Sequence, residues 1–370
     1  MVRILSTLYL FYFSHLLTTT STISLYMLNS LTNLIFISVL RFVQSVCNVE
    51  PAKRLNLMRD ALGVPPKPRD WPNITLLPES SRHRRHVGDL YWHQTYQMNQ
   101  LSETCLPPMR YTQCCDQSSV GQQRCFHKPR PMLQIFSTRV QLADYPGPIE
   151  VYGCIAVRDS EDYRRIYLFN RSRDDPLTIN SASDYLRLLS PKRGMSMQFD
   201  CLVEVDIRIK ALPGDTNDKI LVDGCFDLIE GRATFDVLSR SVVEGEHGAI
   251  VFNLIMFRRS VEATIHMNFL EVPGDGFDIK MCGFTAIWKS LYAFIDCEQC
   301  ECDSFVSSIG KFTQYFVAAV QMDDTLFIDF MEGNMPISFE AAIHGTEEKL
   351  YYFRNGAVVS VKVSWSTAHY

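Results

Sequence analysis

Between Gln198 and Lys210 an apolar residue falls at every second position, Phe199, Cys201, Val203, Val205, Ile207 and Ile209, and most of the residues between them are charged. On a helix these six side chains would scatter around the cylinder, whereas on an extended chain they share one side. The pattern predicts a strand with one dry face and one wet face. Residues 260–272 repeat it: Val261, Ala263, Ile265, Met267 and Phe269 alternate with Glu262, Thr264, His266 and Asn268, which places His266 toward solvent. Strand-like runs begin at 134–140, 150–157, 165–169 and 198–210, continue at 219–229, 249–257, 260–272, 277–287 and 314–322, and end at 326–331, 337–344, 350–353 and 358–365. Thirteen short strands at this spacing, bounded by Gly, Pro, Asp and Asn, predict an all-β body from residue 132 to 370, an antiparallel β-sandwich or barrel. Only 183–189 and 288–294 have the length for a turn or two of helix, which argues against a parallel sheet with crossover helices. Pro213-Gly214-Asp215, Pro273-Gly274-Asp275-Gly276 and Arg354-Asn355-Gly356 read as hairpin turns.

Ahead of the body the pattern changes twice. From residue 1 to 47 the chain is apolar, with no full charge between Arg3 and Arg41 and with apolar stretches at 4–17 and 23–40. Eighteen helical residues span roughly 27 Å against a hydrocarbon core of about 30 Å, so residues 23–40 are long enough for a membrane anchor. The stretch at 4–17 also reads as the core of a signal peptide, although no small-x-small cleavage site follows it, and the whole segment as an over-extended gene model; the three readings stay open. An anchor flanked by Arg3 on one side and Arg41, Lys53, Arg54 and Arg59 on the other places the body in the cytosol; a signal peptide sends it to the secretory pathway. Residues 48–131 read as a Pro-rich basic linker that holds ten of the seventeen prolines, a short helix at 50–63 and the run Arg82-His83-Arg84-Arg85-His86. The aromatic patch of Tyr91, Trp92, His93 and Tyr96 reads as a segment that docks on the body or stands exposed for recognition.

Composition narrows the partners. The formal charge of −5 divides into an excess of five positive charges over residues 50–131 and an excess of twelve negative charges over 132–370. An acidic body of this kind does not bind nucleic acid by neutralising phosphates. No phosphate-cradling glycine loop, nucleophile elbow, kinase signature or His-Glu-x-x-His helix occurs in the sequence. The motifs therefore name no catalytic residue, no cofactor and no metal site.

The densest charge is the string from Tyr167 to Thr178, where Arg171, Arg173, Asp174 and Asp175 precede Pro176. One reading makes these four a mutual salt-bridge cluster that fixes a loop, so that Asp175→Asn lowers thermal stability. The other makes them a binding loop whose arginine forks hold a carboxylate or phosphate. Asp174 and Asp175, as neighbours on an extended chain, point to opposite sides and do not flank one bond as a glycosidase pair would. With Ile149-Glu150-Val151-Tyr152-Gly153-Cys154 and Leu133-Gln134-Ile135-Phe136-Ser137 upstream, Ser260-Val261-Glu262-Ala263-Thr264-Ile265 downstream and the lead-in Pro107-Pro108-Met109-Arg110-Tyr111-Thr112, the string resembles a plant family expanded in grasses, the domain of unknown function numbered 6598. The resemblance covers about residues 132–370 and implies an all-β body in a plant protein, with no established reaction. Some members stand near ribosome-inactivating proteins, an activity that needs a Glu and an Arg one helical turn apart. The nearest string here is Phe339-Glu340-Ala341-Ala342-Ile343, which has Ile343 in the Arg position and alternates like a strand, so an rRNA glycosylase is rejected.

Twelve cysteines include two groups with partial metal-ligand character, Cys297, Cys300 and Cys302, and Cys105, Cys114, Cys115 and Cys125 with His127. Neither has the spacing of a paired zinc knuckle, and free or opportunistically oxidised thiols are the expectation; Cys201 joins an apolar face as a small hydrophobe. Asn73 and Asn170 begin glycosylation sequons that matter only in a secreted protein, and the charged loop beside Asn170 argues against a glycan there. The sequence thus supports a non-catalytic β-sandwich module that binds a protein or small ligand, with an enzyme of unknown type that uses charged loop residues as the alternative.

Overall fold

The computed structural model describes residues 95–108, 111–113, 127–144, 147–211, 217–286, 295–296, 305–311, 315–332 and 334–367. The apolar stretches at 4–17 and 23–40, the expected helices at 50–63 and 288–294, the basic run 82–86, the aromatic residues 91–93, the turn 213–215, Asn73, Cys114, Cys115, Cys125, Cys297, Cys300 and Cys302 lie outside these residues. Among the described residues no helix is long and apolar enough to cross a membrane.

The strands are β1 (Arg130–Leu142), β2 (Ile149–Asp159), β3 (Asp162–Arg171), β4 (Leu177–Ile179), β5 (Ser183–Leu186), β6 (Met195–Ser196) and β7 (Cys201–Ile209). Then come β8 (Lys219–Leu228), β9 (Leu238–Glu244), β10 (Gly248–Glu271), β11 (Phe277–Asp278), β12 (Cys282–Thr285) and β13 (Ile295–Asp296). β14 (Phe305–Val306), β15 (Gly310–Lys311), β16 (Phe316–Gln321), β17 (Thr325–Asp329), β18 (Ile337–Glu340), β19 (Gly345–Tyr352) and β20 (Val358–Ser366) complete the described set. The largest sheet runs β19-β20-β10-β1-β5, with β6 on β1 and with β9, β15 and β16 on β10. A second sheet runs β3-β2-β7-β8 with β4 on β2, a third runs β13-β12-β17-β18, and β11 pairs with β14. The pairings of these strands are antiparallel. The body is all-β, as the alternation predicts.

Two cores lie against the large sheet. In the first, Leu133 and Val140 of β1 and Phe252 and Leu254 of β10 pack with Val203, Val205 and Ile207 of β7 and Phe226 of β8. In the second, Ile265 and Met267 of β10 and Val361 and Val363 of β20 pack with Leu326 and Ile328 of β17 and Phe339 of β18. Each fully buried Val, Leu, Ile or Phe contributes about 1.5–3 kcal/mol of transfer free energy. One strand, β10, serves both cores over 24 residues. Its alternation changes phase where Arg258 and Arg259 both lie exposed: even-numbered Ile250, Phe252, Leu254 and Met256 line the first core, odd-numbered Val261, Ala263, Ile265, Met267 and Phe269 the second. The register slips at the same point, with Met132 opposite Phe257 and Arg130 opposite Ser260. Three steps on β10 thus match two on β1. The extra residue is a β-bulge, and it offsets the phase change so that both apolar runs stay on one side of the sheet. This bulge is why the sequence reads as two strands, 249–257 and 260–272.

Three expectations need correction. Residues 183–186 form strand β5, paired with β1 from Thr138 to Gln141, and not the start of a helix; the pairing against a buried strand outweighs local helix preference. Pro273 to Gly276 does close a turn, with Gly276 N donating to Pro273 O over 2.9 Å and Gly276 at φ +69°, but it leads from β10 to β11, whose partner is β14, so it is no hairpin. The hairpin expected at Arg354–Gly356 does join β19 to β20, with Gly356 at φ +87°. The expected wet face of β7 is wet only in part: Asp206 and Arg208 are half-buried, whereas Leu202 and Glu204 are buried and Phe199, outside the strand, is exposed. The cover is residues 95–104. Tyr96 and Met98 pack on Leu202 and Cys225 beside Tyr163, and Thr104 N donates to Arg165 O while Arg165 N donates to Ser102 O.

Candidate functional site

The charged string forms the connection from β3 to β4. Asp175 N donates to Ser172 O over 3.1 Å, which closes a turn across Arg173 and Asp174. Asp174 and Asp175 therefore stand in a turn, and the expectation of an extended pair with opposed side chains does not apply. Nor do the four residues form one mutual cluster. Arg171 reaches Asp175 over 2.9 Å, but Arg173 turns away and forks onto Asp218, with Nε at 2.8 Å from one oxygen and an Nη at 3.2 Å from the other. Asp174 is exposed. Asp218 also accepts from Tyr152 Oη over 2.6 Å and from Ala211 N over 2.8 Å. Arg173, Tyr152 and the Ala211 amide together hold its carboxyl well below the usual carboxylate range. Burial, followed by the hydrogen bond to Asp218, raises the Tyr152 hydroxyl. Asp218 is too distant in sequence to stand out in the string around Arg173; a sequence reading had no signal for it.

Asn170, at the end of β3, is exposed, so packing in the charged turn does not shield this sequon. The turn's own ion pairs are of the kind that contributes less than about 1 kcal/mol, because Asp175 is three-quarters exposed to solvent. Their effect is on shape. The Arg173 guanidinium is already oriented, with 53% of its side chain in water.

A buried group of charges lies on the side of the second sheet that the sequence reads as wet. Glu204 on β7 accepts from Arg158 Nε on β2 and from Arg165 Nε and an Nη on β3, the latter two over 3.0 and 2.7 Å. Arg158 and Glu204 are almost completely buried. Burial works against the Arg165 charge, and Glu204 overcomes it, so the Arg165 pKa is raised. The remaining Arg158 donors go to carbonyls, those of Tyr163, Gln97 and Met98. Adjacent strands bring Arg158, Arg165 and Glu204 to one face, since Glu204 stands opposite Ala156 in the β2–β7 register.

A second buried pair ties the loop after β5 to β2. Arg193 donates to both oxygens of Asp159 over 2.6 and 2.7 Å, a bidentate fork, and Ser196 N donates to the same carboxylate over 2.8 Å. Desolvation opposes the Arg193 charge and Asp159 restores it, so its pKa is raised. One residue on, Gly194 N donates to Glu262 over 2.6 Å, and Thr264 Oγ1 and Ser366 Oγ donate to its other oxygen over 2.9 and 3.3 Å. Glu262, expected in water, is fully buried. The loop thus links β2 of the first core to β10 and β20 of the second. Strand periodicity cannot reveal such pairs: a charge at an outward position reads as solvated whatever later segment covers it.

Cys201 behaves as the small hydrophobe expected, buried in the first core, and burial pushes its thiol well up; burial likewise pushes Cys154 up to about 11. Cys105 is exposed and His127 is buried beside Tyr111, with ring centroids 4.7 Å apart. Among the described residues no group of three or more His, Cys, Asp or Glu is placed to hold a metal ion. Glu340 ends strand β18, so it has no helical turn on which to face residue 343.

Comparison with solved structures finds likeness to human GIVD cytosolic phospholipase A2 in complex with methyl gamma-linolenyl fluorophosphonate and terbium chloride, at 9% identity and TM-score 0.24 over 65% of this chain and 32% of that one. A second structure of human GIVD cytosolic phospholipase A2 matches at 8% identity and TM-score 0.23, over 65% of this chain and 31% of that one. The chain spans about a third of the length of these proteins, and likeness at this level carries no argument about fold or activity. Comparison with curated proteins gives no match. The model of a protein family, described as domain of unknown function (DUF6598), matches residues 132–363, from β1 almost to the end of β20, and the chain belongs to that family.

Proposed function

We propose that the body is a non-catalytic interaction module that binds a protein or small ligand, and that the exposed turn with Arg171, Arg173, Asp174 and Asp175 is part of its contact surface. The observation that supports this reading is how the charged groups are employed. The carboxylates of Glu204, Asp159 and Glu262 each accept from donors of the fold, two of them guanidinium forks, and stand buried. A general acid or base needs a proton site open to substrate; these carboxylates serve the scaffold instead. Arg173, by contrast, is held by Asp218 at the surface with about half of its side chain in water, an arrangement suited to a carboxylate or phosphate on a partner.

The test compares the full chain with its Arg173→Ala variant in affinity capture from the cells that make the protein. The reading expects a partner retained by the unmodified chain and lost with Arg173→Ala, while the two melt within about 2 °C of each other, as a surface ion pair allows. Equal retention by both chains would contradict the assignment of the turn.

A further inference from the structure

We infer that the outer face of the second sheet, bounded by the free side of β3, is a peptide-docking groove that residues 95–104 of the chain itself occupy in this structure. Its partner class is a peptide that turns after an aromatic residue and a methionine two positions on, as residues 96–100 do here with Gln100 N donating to Gln97 O, and then runs along the sheet edge to a small hydroxyl residue six positions beyond the methionine. The inference rests on the interaction-module reading and names its ligand.

The occupying segment is bound as a peptide is bound. Tyr96, Met98 and Thr104 are buried, whereas Thr95, Gln97, Asn99, Gln100, Leu101, Ser102 and Glu103 are exposed. Tyr96 and Met98 rest on Leu202, Cys225 and Tyr163. Thr104 Oγ1 donates to Asp162 over 2.9 Å. Between these anchors the body reads main chain: Arg158 donates to the carbonyls of Gln97 and Met98, Tyr167 Oη to that of Leu101 over 3.1 Å, Arg165 N to that of Ser102 over 3.1 Å, and Lys192 Nζ to that of Thr104 over 2.7 Å. Glu103 bridges Arg165 in parallel, which adds the segment to the edge of the β3-β2-β7-β8 sheet. Backbone hydrogen bonds at a sheet edge with pockets for a few side chains are the general mode of strand addition: the bonds give affinity and the pockets give selectivity.

The same contacts mark the segment as separable. Both Arg158 bonds to it are long, 3.4 Å each, and Gln97 holds a left-handed φ of +47°, which costs about 1 kcal/mol or more for a residue with a side chain. A segment with three buried side chains, long bonds at its Gln97–Met98 end and a single bridge to the sheet edge opens at lower free energy than the strands beneath it. Tethered, it competes with a free peptide at an effective concentration of the order of 1 mM. Displacement leaves the Arg158–Glu204–Arg165 group in place to receive other carbonyls.

The experiment uses the full chain with Tyr96→Ala and Met98→Ala together, which weakens the internal occupant, and a fluorescent peptide of residues 95–106. By fluorescence anisotropy the double variant is expected to bind this peptide at least about tenfold more tightly than the unmodified chain does, and to ignore a peptide that carries the same two alanines. No binding by a double variant with a native urea midpoint, or equal binding by both chains, would overturn the inference. Hydrogen exchange of the unmodified chain decides the case even where the variant does not fold: the Thr104 and Arg165 amides are expected to exchange at least about tenfold faster than those of Val203 and Val205, and equal rates would overturn it. Peptide binding reports on the groove and partner capture by Arg173→Ala reports on the turn, six to eight residues farther along β3 and past its end, so either can fail alone.

Discussion

The two cores solve the same problem with different materials. The first is largely aliphatic, built on Val, Ile and Leu of β1, β2, β7 and β8, and the sheet that covers it carries the buried triad of Arg158, Glu204 and Arg165 on its other face. The second adds an aromatic cluster to its aliphatic strands: Phe353 stands 4.9 Å from Tyr351, 5.0 Å from Phe277, 5.1 Å from Phe330 and 6.5 Å from Phe269, ring centroid to ring centroid. Rings supply large buried area and edge-to-face contacts with no charge to satisfy. Buried charges bring little net stability but are costly to leave unpaired. The difference teaches where each half is vulnerable: the first to the loss of one partner in a pair, the second to the loss of volume.

The largest effects probe that contrast directly. Glu204→Ala leaves two buried guanidiniums facing each other and is expected to cost about 3–5 kcal/mol in urea unfolding. Phe353→Ala removes the ring shared by four aromatic contacts and is expected to cost a comparable amount, about 3–5 kcal/mol. Phe353→Leu should recover much of the second loss, because it restores apolar volume, whereas Glu204→Leu should recover little of the first, because it restores no charge. Equal recovery at both sites would erase the distinction. A smaller effect is expected where the halves meet. A Cβ on Gly194 would stand 2.3 Å from Met132 Cε and 2.9 Å from a Glu262 oxygen, and Gly194→Ala is expected to cost about 1–3 kcal/mol of overpacking; a neutral change would show that the loop is not seated as described.

The smallest effect belongs to the surface. The Asp218 carboxyl is held below its unfolded value of about 3.9. Its charge therefore contributes stability that is present above that value and lost as pH falls toward the folded pKa. Asp218→Asn is expected to lower the melting temperature slightly at pH 7, with the two chains converging as the pH drops below about 4. A difference that grows in acid would contradict the role given to Arg173 and Tyr152.

How much of this was legible in the sequence follows from what periodicity records. Cys201, Val203, Val205 and Ile207 show their core face because alternate side chains of a strand share a side, and the structure buries all four. Leu202 and Glu204 alternate just as well, yet lie under residues 95–104, a contact made across about a hundred positions that no local pattern carries. The break at Arg258 and Arg259 was visible as an interruption but not as a bulge, since the phase change has meaning only against the register of β1. For the candidate turn, Arg171 and Asp175 stand in one charged string but nothing in it singles them out as a pair, and Arg173's partner Asp218 lies 45 positions away. Buried ion pairs escape such reading for the same reason: Arg193 and Asp159 are joined by the fold alone.

The central claim is that β10 and the loop carrying Arg193 and Gly194 make the two cores one body. Pulsed hydrogen–deuterium exchange across a urea series, read by mass spectrometry, tests it most directly. Peptides from β2 and β7 and peptides from β17 and β20 are expected to lose protection at one common urea midpoint, and Glu204→Ala is expected to move both sets together. Loss of protection in β17 and β20 at a distinctly lower urea concentration, with β2 and β7 still protected, would contradict the claim.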